Sequence, residues 1–513
     1  MGKGVENSEK NVVLAPCLVI LGTGSEVGKS MVTAALCRIF SDLGIRVAPF
    51  KAQNMSNNSF VTLEGGEIGR AQAVQAQCAR LEPRMDMNPL LLKPQGQNRS
   101  QVVLHGKVAG EASSSEFRTN RDATFAKTQE SLARLRNEFE LVVIEGAGSC
   151  VEVNLRDFDL ANFRTALSCS APVIIVADIS KGGVFAQILG TLDLLTHAER
   201  ALVKGFVINR FRGDVSLFKT GIDFIEEKSG LPVLGVVPYF DNINVEQEDG
   251  VSLENLTDHG ETVKKDKINI AVLRLPHISN FTDFQPLARD ASVNLSYLSR
   301  PCSLEGIDLL IIPGSKNTRG DLAWMGETGW DMRVAQYADK GGRIAGICGG
   351  FQMLGKSADD PHGVEGTPGF SFGLGLLNLR TVFDKEKKLA RVEAKTAQGG
   401  HKLVGYEIHM GVTDGEIFAP FATVLGADGR EHPDGAVSED GKIWGTYIHG
   451  LFDEPGFRAA MLRSLNPDLA DKSGAVDADG PAYREAEYDK LAAFFSRHLD
   501  VEKILRIIGM KKT

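Results

Sequence analysis

Short, almost unbroken apolar runs recur along this chain and alternate with longer stretches of helical periodicity. Examples are Cys17 to Leu21, Leu141 to Ile144, Val173 to Ala177, Gly205 to Ile208 and Leu234 to Val237, with Lys29 to Leu43 and Ala123 to Glu138 between them. Apolar strands separated by amphipathic helices demand a parallel sheet covered on both faces. The alternation lapses over residues 241–267, a polar, acidic, turn-rich stretch, and restarts with INIAVLRLP at Ile268, LLIIPGS and RIAGICGG. The chain has 513 residues, which at roughly 150 per domain gives three domains, but α/β units of about 250 make two fit equally well. The expected fold class is therefore α/β with two doubly wound domains, 1–240 and 268–513, joined by a linker over 241–267. The amphipathic stretch Arg484 to Ile508 reads as C-terminal helices closing the second domain.

A net charge of -9 and an isoelectric point near 5.7 argue against nucleic acid as a partner. The seven cysteines form no CxxC pair, so neither a zinc site nor a disulfide framework is expected. The polar start MGKGVENSEKNVVLAP lacks the layout of a signal peptide, and no apolar run approaches the roughly 20 residues that cross a bilayer. The expectation is a cytoplasmic protein with no membrane partner; oligomeric state is not legible.

The first strand runs into Gly22-Thr23-Gly24-Ser25-Glu26-Val27-Gly28-Lys29-Ser30 and then a helix. Glycines let backbone N–H groups face phosphate oxygens, and a following helix adds its dipole. Lys29 is placed for the outer phosphates of ATP and Ser30 for Mg²⁺. The loop is one residue longer than the strict GxxxxGK pattern, with Thr23 where its first glycine belongs. Other polar residues end strands, where open α/β sheets bind ligands. Glu145 is a second Mg²⁺ candidate, Asp178 a further acid, and Asn209 an amide placed to read a base. Lys51, Gln53 and Asn54, in a polar string beside the loop, are candidates for phosphate and substrate. Each of these also has an ordinary reading as a strand-end or loop-capping residue. No tightly bound cofactor is expected.

In the second half, Ile344-Ala345-Gly346-Ile347-Cys348-Gly349-Gly350 brings a strand into a G-x-C-x-G turn before a helix. This is a nucleophile elbow with sulfur in place of oxygen. The backbone of Gly314, in a PGS loop, and of Gly349 would hold the oxyanion formed on a glutamine carboxamide. His449, delivered late by IWGTYIHG, would be base and then acid. The remaining six cysteines read as buried structural residues.

The longer phosphate loop resembles that of dethiobiotin synthetase, and Ile268 to Phe452 resembles the flavodoxin-like class I (triad) glutamine amidotransferases. That superfamily carries a glutamate two positions after the histidine, and here the position is Leu451. The orienting acid is then absent or comes from Glu407, Asp453 or Glu454. The pairing of the two domains resembles the cobyrinate amidase family of vitamin B12 synthesis. The strings FKAQNMSNN, EIGRAQA, NPLLLKP, DISKGGVF, NRFRG and YEIHMG carry that resemblance almost end to end. It implies hydrolysis of glutamine at Cys348, passage of ammonia to the first domain, and amidation of ATP-activated carboxylates on a corrinoid substrate. Within that family an a,c-diamide synthase differs only in regiochemistry. Amidation of a cell-wall lipid, or a partition-type ATPase with an inactive second half, are the readings outside it.

Overall fold

The computed structural model describes residues 14–96, 99–246, 263–426, 429–470 and 481–511, and in it the apolar runs form two parallel sheets. The first has the order Val233–Pro238, Val203–Phe211, Val173–Asp178, Cys17–Gly22, Leu141–Glu145, Val47–Phe50, every neighbouring pair parallel. Along its first strand Leu18 and Ile20 face one helical layer while Val19 and Leu21 face the other. This is the period of two that makes such a strand apolar throughout. Because strands are added on both sides of Cys17–Gly22, a crevice opens at its carboxyl end.

The second sheet runs Val293–Leu298, Ile268–Leu273, Leu309–Ile312, Ile344–Ile347, Ile443–Thr446, Ala436–Val437, and only its last pair is antiparallel. Two additions, one an antiparallel hairpin and one a mixed sheet, were not expected. One is a long hairpin, Leu379–Thr396 against Lys402–Gly415. Its charged first strand, with KEKKLARVEAK, has the composition of a helix, yet Val392, Ala394 and Thr396 turn inward while Arg391, Glu393 and Lys395 turn out. Packing of that inward row overrides local propensity.

The other addition is a four-stranded sheet of Gln53–Met55, Leu90–Gly96, Arg99–Leu104 and Lys107–Ser113 standing between the two halves. Leu92 pairs with Val102, and Lys93 with Gln101. Consecutive side chains take opposite faces, so Leu92 and Val102 look into a cavity of the first half. Lys93 and Gln101 look the other way, where Gln101 meets Met410 (3.5 Å) and Lys387 (3.3 Å).

The C-terminal helices Pro481–His498 and Val501–Ile507 correct the expected division of the chain. They pack on the first half, where Tyr488, Leu491 and Phe495 join a core with Leu36 and Phe40. The fully buried guanidinium of Arg38 meets Glu485 (2.7 Å) and Asp489 (2.6 Å). An amphipathic stripe covers whichever apolar face lies open, and position along the chain does not say which. Of the expected linker, Glu246 is buried against Arg70 at 2.5 Å, and residues 247–262 lie outside the described residues. No helix among the described residues is long and apolar enough to cross a membrane.

Candidate functional site

The phosphate-type loop sits at the end of Cys17–Gly22 and opens helix Lys29–Asp42, with Gly28 at φ 97°. A side chain at Gly28 would also run into the Asn209 amide, so glycine is required twice over. Lys29 Nζ folds back onto the carbonyls of Gly24 (2.9 Å) and Gly148 (2.7 Å). Ser30 Oγ donates to Glu145 Oε1 at 2.8 Å, and Lys51 Nζ reaches the same oxygen at 3.0 Å. The other carboxylate oxygen of Glu145 accepts from Gln75. Burial alone would raise the pKa of Glu145, but Lys51 and these hydrogen bonds hold it below its ordinary value.

These groups line a cavity of about 1070 Å³, which also takes in Ser25, Glu26, Gln53 and Asn54. The oxygen donors Ser30 and Glu145, side by side on this cavity, suit a hard cation such as Mg²⁺, which borrows most of its shell from phosphate and water. Thr23 and Val27 serve the loop differently. The Thr23 hydroxyl lies 3.3 Å from Gln187, and Val27 is buried in the core with its carbonyl accepting from Asn209 Nδ2 at 2.8 Å. Asn209 is buried, and through this bond it pins the loop. Asp178 is likewise engaged elsewhere, with Arg210 (3.0 Å) and the Ser180 N–H (2.7 Å).

Cys348 follows strand Ile344–Ile347 and precedes helix Gly349–Leu354, at φ 52° and ψ -107°. A non-glycine residue held at positive φ costs on the order of 1–3 kcal/mol and marks a nucleophile elbow. The turn is possible because Gly350 presses on the Ile312 carbonyl, where no side chain fits. A Cβ on Gly314 would lie 3.2 Å from His449 Cε1, and one on Gly349 would lie 2.8 Å from Ser315 N. The two expected oxyanion loops therefore flank the same spot.

His449 is fully buried, and its Nδ1 is 2.6 Å from Asp283 Oδ2. The other oxygen of Asp283 accepts from the Gly450 N–H at 3.2 Å. Among the described residues, His449 Nε2 has no hydrogen-bond partner. Burial disfavours the imidazolium, but the Asp283 carboxylate and the neighbouring Cys348 sulfur outweigh it and lift the pKa to about 10.

Asp283 is the residue that sequence reasoning missed, and none of the three acids named for its role reaches His449. Glu407 meets Lys388 (2.6 Å), Asp453 meets Arg484 (3.2 Å), and Glu454 precedes helix Pro455–Leu465. Asp283 lies in a short 3-10 turn, Phe281–Phe284, far upstream of the histidine in sequence. The string Tyr406 to Gly411 also acquires a place. Tyr406 stacks on His449 (5.2 Å between centroids, 18°), and the Ile408 carbonyl receives the Cys348 thiol at 3.5 Å. A narrow cavity of about 50 Å³ beside Cys348 is bounded by Gln352, Glu365, Ile408 and three lysines, Lys93, Lys316 and Lys387.

Comparison with known proteins gives a family for each half of the chain. Residues 18–253 match the family described as CobQ/CobB/MinD/ParA nucleotide binding domain, and residues 269–457 that described as CobB/CobQ-like glutamine amidotransferase domain. A cobyric acid synthase of Chlorobaculum tepidum is 50% identical over 496 residues, covering 96% of this chain and 98% of its own length. One from Chlorobium phaeobacteroides is 50% identical over 500 residues, covering 96% and 99%. Another, from Syntrophobacter fumaroxidans, is 44% identical over 507 residues, covering 96% and 98%.

Proposed function

The chain belongs to the cobyric acid synthase family, and from that premise we propose that it makes amides on a corrinoid at the expense of glutamine and ATP. The substrate is adenosylcobyrinic acid a,c-diamide, whose b, d, e and g carboxylates are converted in turn. The observation that carries this reading is the line Asp283–His449 beside Cys348 in the same chain as a cavity joining Lys29, Ser30, Lys51 and Glu145. A glutaminase alone would not need the second of these, and an ATPase alone would not need the first.

In the second half, the Cys348 thiolate attacks the carboxamide carbon of glutamine while backbone N–H groups near Gly314 and Gly349 stabilise the oxyanion. His449, held as the imidazolium by Asp283, protonates the departing nitrogen. Ammonia leaves and a thioester remains, and water then attacks that thioester, with His449 as base, to release glutamate.

In the first half, a carboxylate oxygen of the corrinoid takes the terminal phosphoryl group of ATP, leaving ADP. Ammonia displaces phosphate from the acyl phosphate and forms the amide. The activation is needed because a bare carboxylate would have to expel oxide. Lys29 and Lys51 orient and neutralise phosphate oxygens. Mg²⁺ held by Ser30 and Glu145 would supply further charge neutralisation there. Gln53 and Asn54, which can donate and accept, suit a site that meets carboxylates and amides together.

The a,c-diamide synthase alternative is not favoured, since the relatives that match over nearly the whole chain are cobyric acid synthases. The test is mass spectrometry of adenosylcobyrinic acid a,c-diamide incubated with the protein, ATP, Mg²⁺ and glutamine. Stepwise appearance of one to four carboxylate-to-amide conversions is expected. Consumption of ATP and glutamine with no change in the corrinoid would discard the substrate while keeping the two-site chemistry.

A further inference from the structure

The cysteine pocket is bounded by an imbalance of charge that neither site, as described, uses. Lys93 and Lys387 both close on the carboxylate of Glu67. Lys93 Nζ lies 2.5 Å from Glu67 Oε1, and Lys387 Nζ takes Oε2. Lys93 also donates to Ser59 Oγ at 2.7 Å. Lys316, on the loop after strand Leu309–Ile312, lines the same pocket, and its ammonium makes no hydrogen bond or ion pair among the described residues. Glu67 is completely buried, and Lys93 is 3% exposed.

Three ammonium groups thus face one fully committed carboxylate. The remaining acid on the pocket wall, Glu365, is turned toward the backbone N–H groups of Thr318 (3.0 Å) and Arg319 (2.9 Å). Buried cations without counter-charge are costly, and a site keeps them where a ligand supplies the missing anion. The strain is visible in Lys316, whose pKa is brought to about 8 by burial and by Lys93. Burial likewise brings Lys387 to about 7, against the pull of Glu67.

Glutamine, taken as the occupant on the reading above, carries one such anion. Its carboxamide must meet Cys348, which leaves its α-carboxylate to be received elsewhere on the wall. We propose that the glutamine pocket is completed by the first half of the chain: Lys93 joins Lys316 and Lys387 in an anion subsite for the α-carboxylate of glutamine. Lys93 is a specificity residue donated across the boundary, carried by the strand whose other face lines the nucleotide cavity. Glu365 is the acid available to the α-ammonium.

The test compares hydrolysis of L-glutamine with that of its α-amide, in which a neutral group replaces the carboxylate. The intact protein should prefer glutamine through KM, by roughly 10²-fold for a lost charge-assisted contact. Lys316→Met, which strands no partner, should reduce that preference to a few-fold, while amidation driven by ammonium chloride stays at the wild-type rate. Lys93→Met should do the same, and Lys93→Arg should restore part of the preference. An unchanged preference in Lys316→Met would overturn the subsite, and an unchanged preference in Lys93→Met would overturn the contribution of the first half. Absence of any glutamine hydrolysis by the wild-type protein would instead refute the glutaminase reading on which the subsite rests.

Discussion

The two cavities of this molecule solve opposite problems. The first is about 1070 Å³, and among its charged groups Lys29, Lys51 and Glu145 are tied to one another or to loop carbonyls. The second is about 50 Å³ and holds a strained cysteine beside a histidine aligned by a buried acid. A site that must admit a nucleotide and a large, changing acceptor is roomy, and it relies on reach and charge. A site that handles one small amide is tight, and it stores its chemistry in backbone strain and a raised histidine pKa. The nucleophile is built into the second cavity, whereas in the first the reacting oxygen and the ammonia both arrive from outside.

That contrast breaks cleanly by mutation, most severely at the sulfur. Cys348→Ala should lower glutamine-dependent amidation by at least ~10³-fold while ammonia-dependent amidation persists; equal loss of both would end the two-site account. Lys29→Ala should do the reverse, lowering amidation from either nitrogen source by roughly 10²–10³-fold and leaving basal glutaminase in place.

Asp283→Asn sharpens the comparison within the second cavity. Its glutaminase kcat should fall by about 10²-fold with little change in the first half. In the wild type the imidazolium survives up to a pH of about 10, so activity that needs it is lost only as pH rises through that value. Without the carboxylate, burial is opposed by Cys348 alone and the pKa drops, so the alkaline limb of the rate profile should move to lower pH. A limb that stays in place would mean that Asp283 does not hold the proton on His449.

The smallest effect on chemistry should come from Phe495→Ala. Losing this ring from the first half's core costs about 3 kcal/mol or more of stability. On heating, ammonia-dependent amidation should therefore fail well before glutaminase does. The opposite order would return the C-terminal helices to the second half.

Legibility followed the range of the signal. Period and loop chemistry are local, so the parallel sheets were readable from contiguous residues, and Lys29, Ser30, Glu145, Cys348 and His449 could be named as candidates in the same way. Asp283 was not, because its partner His449 is 166 residues away in sequence and only the fold brings them together. The hairpin Leu379–Thr396 was hidden by a helix-like composition, and its strand order is set by burial that no window of sequence contains. Asn209 was named for a base, and the contact the fold gives its amide nitrogen is the Val27 carbonyl. A strand-end amide looks the same whether it faces a base or a neighbouring carbonyl.

One strand leaves both cavities hostage to a single register. Leu92 and Lys93 are adjacent in sequence and face different chambers. Inserting or deleting one residue upstream within Leu90–Gly96 would turn the ammonium toward the nucleotide and the leucine toward the glutamine pocket. Neither chamber can have the register of this strand changed without disturbing the other. Variation along this strand should therefore preserve its parity: a shift of register should cost both half-reactions together, whereas a substitution at residue 92 or 93 alone should be felt in one of them.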